Sequence, residues 1–260
     1  MSVSTLYIDR KSLLHNWHPL TNLLLALLGL ASASLLSSLE TVAALFLFIH
    51  IPLAVIARIF LPFLKSIFFI IWPFVLSLSI IQGFFSPGEK VLFSFASFSF
   101  TQEGLLAGLS IALRILVALS AMILLMMSTR PDRLMLALRE KGLPNAIAYI
   151  VLTALQIFPR FQDRARVILD AQQARGLELD VPFIRRLPLL IPVISPLILS
   201  SIIDVEERAM ALESRAFNYP GPKTQLTQLF DSPSQKIFRS LLLVIIFVLF
   251  GARFIGWLPQ

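Results

Sequence analysis

The sequence predicts an all-α polytopic membrane protein, with about five transmembrane helices and a cytoplasmic module of long helices between the fourth and the fifth. Three observations predict it. Residues AVILMFWYC make up 57% of the 260 and DEKR only 14%, with a mean hydropathy of +0.83, against roughly 45–50% apolar and 25% charged in soluble domains. Several uncharged runs approach the roughly 20 residues that a helix needs to cross about 30 Å of hydrocarbon. The charges are also segregated: 14 of the 22 Lys and Arg and 11 of the 15 Asp and Glu lie between Arg130 and Lys236. Barrel-type alternation is absent, so helices are the way to satisfy the backbone in lipid.

The spans are read at residues 20–39, 41–57, 67–85, 104–128 and 237–255. The second is interrupted by Pro52 and followed by Arg58, with an extension toward Leu64 as the alternative end. Arg10, Lys11 and the small residues Ala31-Ser32-Ala33 imitate a secretory leader. The stretch ahead of the apolar run is long and contains Asp9, so cleavage is not expected. Between the third and fourth spans, Ser86-Pro87-Gly88 is a turn signal. Aromatics at period two through Phe100 then fit a short hairpin or an interfacial segment.

Orientation follows from Lys and Arg in short loops. A cytoplasmic N-terminus keeps Arg10, Lys11, Arg58, Lys65, the 130–236 block and Arg239 inside. Only Lys90 and Arg253 are left outside, which makes the C-terminus external. The same bias accounts for the net charge of +7 without any nucleic-acid partner. Zero cysteines exclude disulfides, thiolate metal sites and Cys nucleophiles. The division is 1–128 as an N-terminal membrane part, 129–236 as a module of cytoplasmic helices and 237–260 as the last span.

Within the middle block, Pro131 suits a first helical turn after a cap at Thr129 or a neighbour, and Gly142 with Pro144 is a stop. This predicts a short helix over 133–141. A long helix follows over 145–175 with Pro159 inside it, where a proline removes a backbone bond and kinks the helix. Another covers 188–216 with Pro192 and Pro196 near its start. Each is apolar first (146–158 and 187–203) and charged afterwards. Asp163/Arg166, Arg166/Asp170 and Asp204/Arg208 have the spacing of exposed helical pairs. The apolar half 187–203 makes a sixth span the minority reading.

Both charged halves end alike. Ala171-Gln172-Gln173-Ala174-Arg175-Gly176-Leu177 aligns with Ala211-Leu212-Glu213-Ser214-Arg215-Ala216-Phe217, 40 residues later. Small residues around one Arg let another protein approach the backbone, while a planar, permanently charged guanidinium reaches an acceptor. The bland reading is two helix C-termini that each carry an Arg complementing the dipole. The duplication counts against it.

This region resembles the transmembrane coupling (T) component of energy-coupling-factor (ECF) type ABC transporters, whose signature is a pair of Ala-Arg-Gly-like motifs ending two long cytoplasmic helices. Ala174-Arg175-Gly176 and Ser214-Arg215-Ala216 carry the resemblance. Thr101-Gln102-Glu103-Gly104-Leu105, Ile111-Ala112-Leu113-Arg114-Ile115, Gly142-Leu143-Pro144, Phe158-Pro159-Arg160 and Lys223-Thr224 add to it, and His18-Pro19-Leu20-Thr21 does so more loosely. The resemblance implies a non-enzymatic coupling subunit of a vitamin or micronutrient importer in the cell membrane. Its partners would be two ABC-type ATPase subunits, held through the two motifs, and a substrate-binding membrane S subunit. ATP would be bound by the partner subunits and no cofactor by this chain. The second motif departs from the pattern, because Ala216 lacks glycine's access to the left-handed conformation after a helix.

The apolar halves are too short or too proline-broken to span well and too apolar for water. They are expected to lie along the inner membrane face and offer a surface to the capture subunit, with Leu152, Leu155, Leu197 and Ile198 as its markers. Packing beneath the chain's own spans is the alternative. Arg114, within a span, is either a structural pairing or a snorkelling cation. His15 and His18 are an interfacial pair rather than a metal site, having no third ligand nearby, and His50 is a packed or water-facing polar residue. A membrane-embedded enzyme or a secondary transporter using Arg114 and the intramembrane His is the rival class. Against it, no span carries paired carboxylates or a nucleophile beside a base.

Overall fold

The computed structural model describes residues 8, 10, 12–36, 38–86, 88–95, 98–177, 182, 188–217, 219, 221 and 229–254, and the structural statements below concern these residues. They form two compact units, one within Pro144–Gln228 and the other from Ser4–Leu143 with Leu229–Gln260.

The larger unit holds α1 (Leu13–Asn16), α2 (Pro19–Leu35), α3 (Leu39–Leu45), a π-helical turn (Phe46–His50), α4 (Ile51–Ile56), α5 (Phe60–Phe85), β1 (Val91–Phe95), β2 (Phe98–Thr101), α6 (Gln102–Ser128) and α7 (Pro131–Glu140), together with α10 (Pro233–Phe254). The smaller unit holds α8 (Asn145–Ala174) and α9 (Ile191–Ser214). Helical segments occupy all five expected spans, and the chain is an all-α membrane protein with one added hairpin. Four segments are long and apolar enough to cross a bilayer: Leu39–Ile56, α5, α6 and α10. The first expected span, α2, has 17 residues, or about 25 Å of rise, and falls just short of the usual length. The second runs unbroken past Pro52 through the π turn. Proline has no N–H for the carbonyl four residues before it and its ring crowds that carbonyl, and a wider turn takes up the misfit. Helix α9 is not among the spanning candidates, so the described residues hold no sixth span. Helix α7 packs on α2, and the smaller compact unit begins at Pro144.

Helices α5 and α6 are the most extensively packed pair. Gly104 and Gly108 make that approach possible: a Cβ added there would stand 2.3 Å from the Gln82 carbonyl and 2.7 Å from that of Leu78. Small residues four apart bring membrane helices into backbone contact in this way. Thr101 starts α6. Its Oγ1 accepts from the Gly104 N–H (3.2 Å) and donates to the Ser86 carbonyl (3.1 Å), which ties the helix start to the end of α5. The hairpin expected before it forms, antiparallel, with Val91 opposite Thr101. Phe63, Ile67 and Ile71 of α5 meet Ile123, Leu124 and Met127 of α6 in the core, with Leu14, Ala54, Ala57 and Ile59. On the other side of α5, Leu61, Phe68 and Phe69 stay exposed, as suits hydrocarbon.

Helix α4 closes through a left-handed residue. Arg58 has φ +57°, its N–H bonds the Val55 carbonyl, and the Ile59 N–H bonds that of Ala54. For a residue other than glycine this conformation costs roughly 1–2 kcal/mol. Arg10 Nη1 donates to the Arg58 carbonyl at 2.7 Å.

A buried polar knot joins the chain's two ends. Arg239, on α10, donates through Nη1 to His18 Nδ1 (2.9 Å) and through Nη2 to Asp231, while Gln235 Oε1 accepts from the His18 N–H (2.8 Å). His18 and Arg239 are both buried. The Leu20 N–H also points at His18 Nδ1 (3.3 Å), so that nitrogen is an acceptor and the ring proton sits on Nε2. Beside it, Asn22 Nδ2 donates to the Leu14 carbonyl and to Thr129 Oγ1, both at 3.0 Å. Burial lowers the His18 imidazole below its ordinary 6.5, with Asp231 opposing and Arg239 adding to the effect. Burial alone would raise the Asp231 carboxyl, but the hydrogen bond and charge of Arg239 hold it below the usual 3.8.

Both shifts favour the fold at neutral pH. The unfolded chain binds the His18 proton more readily, so stability is complete above the ordinary imidazole range and falls as pH drops through it. The Asp231 contribution is lost only below the ordinary carboxylate range. The midpoint of thermal unfolding in detergent is expected to fall between about pH 7.5 and 5.5. The variant His18→Asn, which keeps an acceptor for Arg239, is expected to flatten that part of the profile.

Candidate functional site

The smaller unit is a pair of long helices, and three contacts fix how they run. The rings of Tyr149 and Phe217 lie 5.1 Å apart, Arg164 Nη1 is 2.7 Å from Asp204 Oδ2, and Gln172 Nε2 donates to the Pro192 carbonyl at 3.4 Å. As α8 advances its partner on α9 retreats, so the helices are antiparallel. Arg164 stands eleven residues before Arg175, and Asp204 eleven before Arg215. The ion pair therefore marks the midpoint between the two motifs. At 1.5 Å per residue each tip is about 16 Å from it, which puts the tips on the order of 30 Å apart at opposite ends of the pair.

The two tips have the same construction. Arg175 (φ −89°, ψ 5°) and Arg215 (φ −93°, ψ 8°) are the last half-helical residues. The next residue is left-handed in both, Gly176 at φ +95° and Ala216 at φ +52°. The Gly176 N–H bonds the Gln173 carbonyl (2.9 Å) and the Leu177 N–H bonds that of Gln172 (3.0 Å). Ala216 to Glu213 (2.9 Å) and Phe217 to Leu212 (3.0 Å) repeat the pattern. This pair of bonds closes the last turn of a helix. From Ala171 to Leu177 and from Ala211 to Phe217, exposed and half-buried residues follow the same order. Ala216 thus adopts the geometry that its lack of glycine threatened. Ala174, Ser214 and both arginines are exposed. Among the described residues neither guanidinium has a hydrogen bond or an ion pair.

Other expected residues are placed as follows. Leu155 and Ile198 are half exposed, at 50% and 54%, and Leu152 is half-buried. Leu197, with Val193 one turn earlier, is buried. Exposed Ile191, Ile194, Leu199 and Ile202 carry the apolar face of α9. Arg114 is half-buried midway along α6 and is not free, as a cation inside a span requires. His15 bonds Ser12 Oγ (2.6 Å) and the Ile8 carbonyl (2.8 Å), whereas His18 bonds Arg239, so the two rings do not converge on one point. His50 is buried in the π turn. The 133–141 helix starts at Pro131 after Arg130, which makes no side-chain cap. Asp204 pairs with Arg164 across the helices rather than with Arg208. Sequence reasoning missed that pair, although its signal was present: Arg164 and Asp204 occupy equivalent places in the 40-residue repeat with opposite charge. Lys223 and Thr224 lie outside the described residues.

The left-handed residues give a direct test. A Cβ at Gly176 would meet nothing within 4 Å, so the cost of Gly176→Ala is purely conformational, about 1 kcal/mol, and Ala216→Gly is expected to recover about as much. Hydrogen exchange at the Leu177 amide should quicken roughly fivefold in the first variant, and at the Phe217 amide slow by a similar factor in the second.

Comparison with known proteins finds relatives over most of the chain. The cobalt transport protein family, CbiQ, matches residues 10–226. The energy-coupling factor transporter transmembrane protein EcfT of Brevibacillus brevis is 28% identical over 232 residues, 86% of this chain and 87% of the relative. The protein of the same name from Bacillus subtilis is 26% identical over 235 residues, with 86% and 87% covered, and that from Ruminiclostridium cellulolyticum is 28% identical over 235 residues, with 86% of each covered. A family match running from the N-terminal segment through both arginine tips establishes that this chain belongs to the CbiQ cobalt transport protein family.

Proposed function

We propose that the chain is the non-catalytic membrane coupling subunit of an energy-coupling-factor type importer for a vitamin or other micronutrient. Arg175 and Arg215 each seat on one of two ABC-type ATPase subunits. The exposed apolar face that includes Leu155 and Ile198 meets a substrate-binding membrane S subunit. The N-terminus and the arms are cytoplasmic and the C-terminus external. ATP is bound and hydrolysed by the partners, whose closing and opening moves the arms and reorients the capture subunit. The observation that carries this reading is the pair of like-built tips, each presenting an unpartnered guanidinium, at opposite ends of one antiparallel helix pair. Two separate tips suit two partner subunits better than a single site would. The names of the EcfT relatives support the transporter assignment.

A guanidinium that enters a partly desolvated groove makes charge-assisted hydrogen bonds, and losing it strands the acceptor at a cost of a few kcal/mol. Arg175→Glu or Arg215→Glu is therefore expected to lower ATPase co-purification or uptake by ten- to a hundredfold, about 1.4–3 kcal/mol. The double variant is expected to abolish uptake while still inserting. Normal complex yield and uptake from the double variant would reject the reading.

The apolar face has its own test. Leu155→Asn and Ile198→Asn place an amide on an exposed surface and are expected to lose uptake with the ATPases still bound. Leu197→Asn buries an unpaired amide, costing about 1–3 kcal/mol, and is expected to weaken the arm itself and ATPase retention with it. If every inactive variant behaves like Leu197→Asn, the face serves packing alone.

A further inference from the structure

Arg10, Arg58 and Lys65 bring three cations to one end of α5. Arg10 reaches the Arg58 carbonyl across 48 positions of chain, which fixes these two residues side by side. Lys65 lies about 8 Å along α5 from Phe60. Helical side chains tilt toward the N-terminus, so its long stem leads back toward Arg58. All three are exposed, and among the described residues the Arg58 guanidinium and the Lys65 ammonium have no hydrogen bond or ion pair. Between Glu40 and Glu89 the chain contains no acidic residue, so neither α4 nor α5 supplies a counter-charge. Exposed Leu61 (76%) and Leu64 (42%) lie between Arg58 and Lys65, and Phe68 (58%) lies one turn past Lys65. Arg58 holds its place in a left-handed conformation that glycine would adopt without strain, and among the described residues its side chain makes no hydrogen bond or ion pair in return.

We propose that Arg10, Arg58 and Lys65 bind the phosphate headgroup of an anionic phospholipid, with its acyl chains lying along Leu61, Leu64 and Phe68. Charge complementarity selects the headgroup, and the unbroken passage from cations to exposed apolar side chains selects a lipid over a soluble anion. Basic residues at a membrane surface attract anionic lipid in just this arrangement, and a lysine stem can run along apolar surface while its head stays at the interface.

The test uses the purified full chain and native mass spectrometry, with phosphatidylglycerol and phosphatidylcholine of the same acyl composition. Wild type is expected to retain phosphatidylglycerol at least about tenfold more tightly. Each of Arg10→Gln, Arg58→Gln and Lys65→Gln should cost roughly fivefold, while Lys90→Gln, beyond the other end of α5, changes nothing. Arg58→Gly guards against loss of fold, because it removes the guanidinium and the backbone strain together. It is expected to raise the melting temperature in phosphatidylcholine and still lose phosphatidylglycerol. Equal retention of the two lipids, a triple Gln variant that binds as wild type does, or an Arg58→Gly variant with full retention would overturn the proposal. So would complete displacement of the lipid by millimolar inorganic phosphate, which would identify a site for the free anion.

Discussion

The left-handed backbone at Gly176 and Ala216 reverses the chain directly after each motif arginine, and the behaviour of the arms depends on that reversal. A helix that ends in water leaves its last carbonyls without donors. Here two amides from beyond the turn fold back onto them, at Gln172 and Gln173 in one arm and at Leu212 and Glu213 in the other. The arginine is thereby placed as the last residue before the turn, held by closed hydrogen bonds yet projecting past the body of its helix. Small neighbours on either side, Ala174 and Gly176 or Ser214 and Ala216, leave the backbone near the guanidinium open. A charged side chain presented in this way keeps a defined origin, so less conformational freedom is lost when it meets an acceptor.

The larger unit solves a different problem, that of polar groups among apolar helices. Four of its buried polar side chains, His18, Asn22, Thr129 and Arg239, are gathered at one place. His18 caps α2 while accepting from Arg239, and Asp231 neutralises that guanidinium. Asn22 spans from Leu14 to Thr129. Removing one member of such a group leaves the others buried and unpaired, which costs more than the lost bond itself. The knot connects the segment before α2 to the last helix, over 221 positions of chain, and so closes the unit with directional bonds where apolar packing alone would let α10 slide. Gly104 and Gly108 do comparable work for α5 and α6 through contact distance rather than charge.

Much of this was legible in advance, for identifiable reasons. The spans, the hairpin and the helices flanking Pro144 follow from hydropathy, period-two aromatics and turn residues, which are local signals. The duplicated tips were visible because each has its determinants within seven residues. Long-range pairing was not legible: nothing local to Arg239 announces His18, and Arg164 could equally have bonded along its own helix. The π turn was half visible, since Pro52 marked the disturbance without stating how the backbone absorbs it. The burial of Leu197 beside exposed Ile198 was not legible, because an apolar run with exposed residues on most sides has no periodicity that tells the buried stripe from the open one. The left-handed state of Ala216 went against local preference, and the repeat it shares with Gly176 was the better guide.

The arm pair carries little core of its own. Among its described residues only Ala148, Val193 and Leu197 are buried apolar side chains, while Ile150, Ile191 and Leu199 are each more than 60% exposed. The Arg164–Asp204 pair, with both side chains about 40% exposed, belongs to the class of surface ion pairs that contribute roughly 0–1 kcal/mol. It sets the register of α8 against α9 but cannot hold them together. Two helices of 30 and 24 residues joined by so few buried contacts lack the apolar burial that would offset the entropy of ordering them in water. Their exposed apolar halves therefore need an apolar environment, and a module whose cohesion comes from its surroundings can change shape when those surroundings move. Motion imposed at either tip therefore meets a weakly bonded midpoint instead of a rigid core.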